Sequence, residues 1–382
     1  MAILTDQELL RTHLFDWHQK HGAKMAPFAG FSMPLWYDAA MPEHLATRKA
    51  AGIFDVTHMG RVLIEGPEAA AFLDYLLPTR IKRLEDNAGV YSVFCTEKGG
   101  IVDDLIVCRV SSSSFYMVYN ASNREKDFAW MKQHIGKFNA EIKDISDSTP
   151  MFAVQGPAAM EILGKLTPTN LGDLPKFWLA RTKLGGYEVL ATRSGYTGED
   201  GMEIGLLDTP FDESQKAIDL WEKILTKGKA AGIVPVGLAA RDTLRLEAGM
   251  PLYGNDIDEE TTPFQARLSF VVHLKKDNFI GKAALVAEKA AKPKRARVGL
   301  IMLEKGIPRP SYEIFGKGQE IGSVTSGSIS PLLRKGIAQG YVTRPYRKSE
   351  TLLHVQFNQQ QRWAEVVHPK RMLAKIKKLA SK

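Results

Sequence analysis

Cysteine is scarce in this sequence of 382 residues: there are two, Cys95 and Cys108, and no Cys-x-x-Cys pair. That excludes a disulfide framework and a cysteine-built zinc site, and it fits a reducing compartment. The nine histidines form no His-x-x-x-His pair, so no metal is expected. No apolar run reaches 18 residues, which argues against a membrane-spanning helix. Residues 1–15 hold Asp6 and Glu8. They lack the apolar core of a secretory signal and the Arg- and Ser-rich, acid-poor character of a transit peptide. The expected location is therefore cytoplasmic. Acids are missing from two stretches. Residues 289–297 hold five basic groups, residues 370–382 hold six, and neither holds a carboxylate. The net charge of +8 comes from these two stretches, and the rest is slightly acidic. A nucleic-acid site needs a basic face with aromatic platforms, and none is visible. The expectation is a solvated linker and a basic C-terminal helix, the latter suited to an acidic protein partner.

What is present is ordinary for a globular chain: 44% hydrophobic and 25% charged residues, in a length suited to two or three domains. Leu10, Leu14 and Trp17 recur at helical spacing, predicting a helix over 7–21. A second helix is predicted over 41–51. Residues 61–77 read as strand, Gly-Pro turn and helix, and residues 151–166 repeat that layout around Gly156-Pro157. Between them, 89–95, 101–110 and 115–120 alternate as antiparallel strands joined at Lys98-Gly99-Gly100 and at the serines 111–114. Further helices are predicted over 125–138, 213–227 and 236–248, and strands near 187–192 and 201–206. Six short strands after residue 297 predict a small β-barrel.

Three segments could carry chemistry. In the first, Asp103 and Asp104 interrupt an apolar strand. Neighbours on a strand face opposite sides, so a doubly covered sheet buries one of them, at a cost unless it has a task. Capping of a strand end accounts equally well for the pair. In the second, the glycine-rich loop 193–203 presents Glu203 on the strand that follows, with Glu199 and Asp200 expected as exposed turn acids. In the third, helix 236–248 carries Arg241 and Arg245 on one face, where an Arg fork suits a carboxylate or a carbonyl-rich ring. His58 is expected as a hydrogen-bonded packing residue, and both cysteines as core.

Taken in order, GAKMAPFAGFSMP, IFDVTHMG, GVYSVFCTEKGGIVDDLIV, NASNREKDF, VQGPAA, SGYTGEDGMEI, GLAARDTLRLEAGMPLYGNDIDE and GSVTSGSISP closely resemble the glycine cleavage T-protein, or aminomethyltransferase, family from about residue 12 to 367. The resemblance implies an α+β fold in a three-domain cloverleaf: two interleaved folate-binding α+β domains and a C-terminal β-barrel. The boundaries expected are 1–55 with 150–285, 56–149, a basic linker 286–297, the barrel 298–370 and a basic tail 371–382. It implies transfer of a one-carbon unit from the aminomethyl-lipoyl arm of the H-protein to tetrahydrofolate. The products are ammonia, 5,10-methylenetetrahydrofolate and the dihydrolipoyl carrier. No metal, nucleic acid or membrane is involved.

By the resemblance Asp104 is the essential acid, near folate N10, and Asp103 is structural. Tyr91, Val118, Asn120, Tyr196, Glu203 and Arg241 match positions lining the folate pocket, Val118 through its backbone. Two departures stand out. No aromatic follows Trp363, where relatives carry an aromatic-rich tail that reaches the folate, and Cys108 stands where some relatives have Tyr. Removing 370–382 is therefore expected to weaken carrier docking more than folate affinity. The alternatives are another folate-dependent demethylase or one-carbon transferase of the same fold, or a non-catalytic folate-binding protein.

Overall fold

The computed structural model describes residues 9–381. The chain opens with α1 (Phe15–Lys20), the hairpin β1 (Lys24–Phe28) and β2 (Phe31–Trp36), α2 (Ala40–Lys49) and β3 (Ala51–Asp55). The first helix is shorter than its apolar spacing predicts, and Gln7 and Glu8 lie outside the described residues. A second body follows: β4 (Gly60–Glu65), α3 (Ala69–Leu76), β5 (Gly89–Cys95), β6 (Ile101–Ser111), β7 (Ser114–Tyr119), α4 (Arg124–Ile135) and β8 (Glu141–Asp144). Its strands form one sheet in the order β5-β6-β7-β4-β8.

The chain then returns to the first body with β9 (Met151–Gln155), α5 (Ala159–Gly164), β10 (Leu179–Leu184), β11 (Tyr187–Thr192), β12 (Gly201–Leu206), α6 (Ser214–Gly228) and β13 (Ile233–Pro235). That sheet runs β10-β11-β12-β9-β3-β13, so β3 from the beginning of the chain sits inside it. After α7 (Leu238–Glu247) a long loop leads to α8 (Lys282–Ala291). The six strands β14 (Arg295–Met302), β15 (Glu313–Gly316), β16 (Gln319–Ser330), β17 (Lys335–Thr343), β18 (Leu352–Phe357) and β19 (Gln360–Val367) close into a barrel, and α9 (Met372–Ala380) ends the fold. No helix of the described residues is long and apolar enough to cross a membrane.

The two Gly-Pro corners are the same object. Gly66 and Gly156 have φ of 133° and 130°, a region that side chains rarely tolerate. In both copies the glycine N–H donates to the carbonyl of the residue just before a strand: Ser113 before β7 and Asp200 before β12. The residue three further on closes back on the glycine carbonyl, and the residue before that donates to a neighbouring strand edge or loop. Each glycine meets backbone there: a Cβ on Gly66 would lie 2.6 Å from the Asn139 oxygen, and one on Gly156 2.6 Å from that of Ala50.

Side-chain alternation stacks the bodies into four layers. Phe152, Val154, Met202 and Ile204 face outward under α5 and α6, while Leu105, Val107, Met117 and Tyr119 face outward under α3 and α4. The opposite faces meet each other through Phe54, Tyr116, Met151, Leu190 and Leu244. Residues 257–285, expected with the first body, pack instead on Val93, Cys95 and Ile101 of the second. The expected linker 286–297 is mostly regular structure. Helix α8 runs to Ala291, β14 begins at Arg295, and only Lys292, Pro293 and Lys294 connect them.

The basic tail is not a solvated appendage either. Met372 and Ile376 are fully buried against Leu246, Ile301 and Ile337. Lys375 pairs with Glu365 at 2.7 Å and Lys377 with Glu199 at 2.7 Å. Glu199 also pairs with Arg48 at 2.8 Å, with a side chain 8% exposed; it is a buried anchor rather than the exposed turn acid its loop position predicts. Asp200 does sit at the surface, on Arg193. Gly249 (φ 67°) lets α7 end against the tail, where a Cβ would stand 2.2 Å from the Pro369 oxygen. Gly249→Ala is expected to cost about 1–3 kcal/mol, read as a lower Tm.

Candidate functional site

The second body, the first body, the barrel and the tail converge on one cavity of about 580 Å³. All seven residues singled out in the sequence line it: Tyr91, Asp104, Val118, Asn120, Tyr196, Glu203 and Arg241. They come from β5, β6, β7, the residue after β7, the glycine-rich loop, β12 and α7. The position of Asp104 follows from strand alternation. It faces the inter-sheet side with Ile106 and Cys108, while Asp103 turns to the helix layer. Both acids lie inside β6, opposite Phe94 and Val93, so neither caps a turn. Val118 presents its side chain to the cavity side of β7, with Tyr116.

Asp104 is held by two donors. The Tyr91 hydroxyl gives its proton to Oδ2 at 3.0 Å, and Asn120 Nδ2 donates to Oδ1 at 2.8 Å. Burial, with repulsion from Asp103 added, pushes its carboxyl up to about 7 against the pull of both donors. Each oxygen keeps a lone pair for a ligand. A carboxyl at this value exchanges a proton readily at neutral pH.

Glu203 accepts from Ser194 Oγ at 2.5 Å. Burial raises its pKa, opposed by that hydrogen bond and by Arg241. The Arg241 guanidinium has no hydrogen-bond partner among the described residues and lies 4.7 Å from the centre of the Tyr196 ring. Burial lowers its pKa. Arg245, one turn on, differs: it is spent on Asp242 at 2.8 Å and Asp256 at 2.6 Å, locking α7 to the barrel through Ser326. The glycine-rich loop, β12 and α7 together thus offer an aromatic face, a carboxylate and a guanidinium, which suits a flat ring with both donors and acceptors.

Sequence reasoning missed a second group. Lys176, Arg267, Arg297, His368 and Lys370 also line the cavity. None of the lysines and arginines among them pairs with a carboxylate among the described residues. Arg297, read as part of a solvated linker, is buried and bonds the backbone oxygens of Ala266 and Gly249 at 3.0 and 3.1 Å. Lys370 sits 3.7 Å over the Phe270 ring, which stacks on Tyr91 at 6.0 Å. Burial lowers the pKa of Lys370, helped by Lys176. With Pro369 and Leu373, the C-terminal segment forms a wall of the cavity without aromatic residues. A run of basic residues does not reveal which of them turns inward, so no sequence signal separated Arg297 or Lys370 from its neighbours.

Other expectations fare differently. His58 is buried, but both ring nitrogens lack a partner among the described residues; it packs in T-shaped contact with the rings of Phe28 and Phe31 rather than through hydrogen bonds. Burial, with Arg241 nearby, drops its pKa to about 3, so it stays neutral. Cys95 and Cys108 are core residues, both pushed up to about 12 by burial. Among the described residues no group of three His, Cys, Asp or Glu side chains is placed to hold a metal ion.

Residues 14–276 match the GCVT N-terminal domain, and residues 295–371 match the glycine cleavage T-protein C-terminal barrel domain. An aminomethyltransferase of Alkaliphilus oremlandii is 45% identical over 364 residues, covering 95% of this chain and 97% of that protein. One from Desulfitobacterium hafniense is 46% identical over 346 residues, covering 90% and 93%. The crystal structure of the glycine cleavage system aminomethyltransferase T from Bartonella henselae superimposes with a TM-score of 0.86 at 36% identity, covering 94% of this chain and 97% of that one.

Proposed function

The chain belongs to the glycine cleavage T-protein family and is an aminomethyltransferase, and from that premise we propose that its central cavity is where tetrahydrofolate takes the one-carbon unit. The family uses tetrahydrofolate as co-substrate. The carrier of the unit is the lipoylated H-protein, and the reaction runs in the cytoplasm. We divide the enzyme into the β3/β9–β13 body, the β4–β8 body with residues 257–285 on it, and the barrel with its tail.

The observation that carries the reading is Asp104: a carboxyl poised near 7, oriented by Tyr91 and Asn120, at the wall of a cavity that also offers Glu203 and a free Arg241. In the reaction one folate nitrogen attacks the methylene carbon as the carbon's bond to one leaving group breaks, and the second folate nitrogen then displaces the other, so that the bonds to sulfur and to the amine nitrogen are replaced by two bonds to folate nitrogens. The two N–H protons lost by the folate end on the carrier thiol and on ammonia. Asp104 accepts a proton as the folate nitrogen forms its bond and returns it to a leaving group. Glu203 accepts from the pterin's N–H groups, Arg241 holds a pterin acceptor, and Tyr196 supplies a ring face. Lys176, Arg267, Arg297 and Lys370 face the glutamate carboxylates at the other end of the co-substrate, where their charge needs a partner.

The test is direct. Protein, tetrahydrofolate and aminomethylated lipoyl carrier are mixed, and ammonia and methylenetetrahydrofolate are measured together. Stoichiometric appearance of both is expected, whereas demethylation of another donor would move the site to a different reaction. For the pocket, Glu203→Gln is expected to raise KM for tetrahydrofolate about 10- to 100-fold, the worth of one hydrogen bond to a charged group. An unchanged KM would remove Glu203 from the pterin.

A further inference from the structure

Behind Asp104, on the helix side of β6, lies a carboxyl that the reaction does not use. Asp127, in the first turn of α4, is fully buried. Among the described residues, neither of its oxygens receives a hydrogen bond from an N–H or O–H. Its neighbour is another acid, Asp103, with which it is in hydrogen-bond contact. Asp103 is well supplied: Asn120 donates to it from the backbone at 3.1 Å and from Nδ2 at 2.9 Å, and Asn123 Nδ2 at 2.7 Å. The same Asn120 amide reaches Asp104.

Two carboxylates cannot face each other in a buried site without a proton between them. The donors all converge on Asp103, so the proton belongs to Asp127. We propose that Asp127 is a neutral carboxylic acid that donates a hydrogen bond to Asp103, so that Asp103, accepting from Asp127, Asn120 and Asn123, fixes Asn120, and through it Asp104, at the site. Asp127 is thus a positioning residue.

The surrounding charges agree. Asp103 and Asp104 face Asp127 from β6, Tyr119 from β7 and Tyr253 from the loop after α7. Lys126, on its own helix, opposes this with its charge and is engaged by the Val102 oxygen at 2.6 Å and the Tyr253 hydroxyl at 2.7 Å. Burial first, then Asp103, pushes the Asp127 carboxyl up to about 11. A charged Asp103 is in turn what adds to burial in raising Asp104.

The proposal rests on Asp104 as the reacting carboxyl only for its consequence; the proton on Asp127 is tested independently. In infrared difference spectra at neutral pH, the whole protein is expected to show the carbonyl stretch of a neutral carboxylic acid that Asp127→Asn lacks. Identical spectra in that region overturn the proposal. Asn still offers Asp103 an N–H, so Asp127→Asn is expected to keep the acid limb of kcat/KM within a few tenths of a pH unit. Asp127→Leu removes the donor. Asp103 then loses that hydrogen bond, Asn120 is held less firmly against Asp104, and kcat falls about tenfold, whereas Asp127→Asn stays near the wild-type kcat. A kcat unchanged in Asp127→Leu, or lowered equally in Asp127→Asn, also overturns it. If Asp127→Leu does not fold, the infrared comparison of wild type with Asp127→Asn decides alone. Full turnover in Asp104→Asn would sink the reading of the active carboxyl while leaving the infrared result standing.

Discussion

Asp104→Asn is expected to lower the rate of aminomethyl transfer about 10²- to 10⁴-fold, the usual contribution of a general acid–base group, while tetrahydrofolate still binds. Asparagine keeps the shape and accepts from Tyr91, but it cannot take a proton. Single-turnover rates with saturating folate measure the first effect, and fluorescence or calorimetric titration measures the second. Turnover near wild type would end the role of Asp104. In the wild type, the rate should fall about tenfold per pH unit below the region of 7, because the base must be ionised.

The same substitution is expected to stabilise the enzyme, and the sign follows from linkage. The folded carboxyl holds its proton to about 7, whereas the unfolded one releases it near 4. The folded state therefore binds more protons between these values, and stability declines as pH rises through that window. Above it, wild type bears the cost of ionising a buried acid and the Asn variant does not. At pH 8 the variant should melt a few degrees higher; near pH 4 the difference should vanish. A lower Tm at pH 8 would mean that the Tyr91–Asp104–Asn120 contacts hold the fold more than they strain it.

The second large effect comes from the tail. Removing residues 370–382 is expected to weaken tetrahydrofolate binding by at least tenfold and to lower Tm by several degrees. Charge alone suggested a larger loss for carrier docking than for folate affinity. The structure reverses the order because Lys370 and Leu373 line the cavity, while Met372 and Ile376 are buried side chains whose loss exposes Leu246, Ile301 and Ile337. Deleting two such side chains costs about 2–5 kcal/mol each. Folate affinity and KM for the carrier, compared in low salt, separate the outcomes. Intact folate affinity with a weakened carrier would restore the docking role.

The strands and helices were legible because their periodicity is strong. The six barrel strands and both Gly-Pro corners can be read from alternating apolar residues and turn chemistry. The two acids on β6 were visible as an anomaly, but their spacing left the functional and the capping readings even, and only the motif order favoured Asp104. The cation cluster was hidden for a physical reason. Arg297 and Lys370 owe their inward orientation to Ala266, Gly249 and Phe270, residues remote in sequence. The same holds for Glu199, which looks like any turn acid until Arg48 and Lys377 arrive. His58 was misread because a buried imidazole normally finds a partner, and this one packs against phenylalanine rings instead.

The repeated corner has a consequence for where chemistry comes from. Aligning Gly66 with Gly156 and counting through the strand pairings sets Tyr116 level with Glu203, and Asp104 level with Glu188. Tyr116 is buried in one copy where Glu203 faces the cavity in the other. Glu188 is exposed, in a loose pair with Lys183 at 3.8 Å, whereas Asp104 lies under Tyr91, Phe270 and the tail. An acid occupies the matched site in both halves, yet only one is enclosed. The two matched positions therefore differ in covering rather than in residue type: solvent surrounds the Glu188 carboxylate, while the walls of the central cavity desolvate Asp104 and make it a proton-exchanging group.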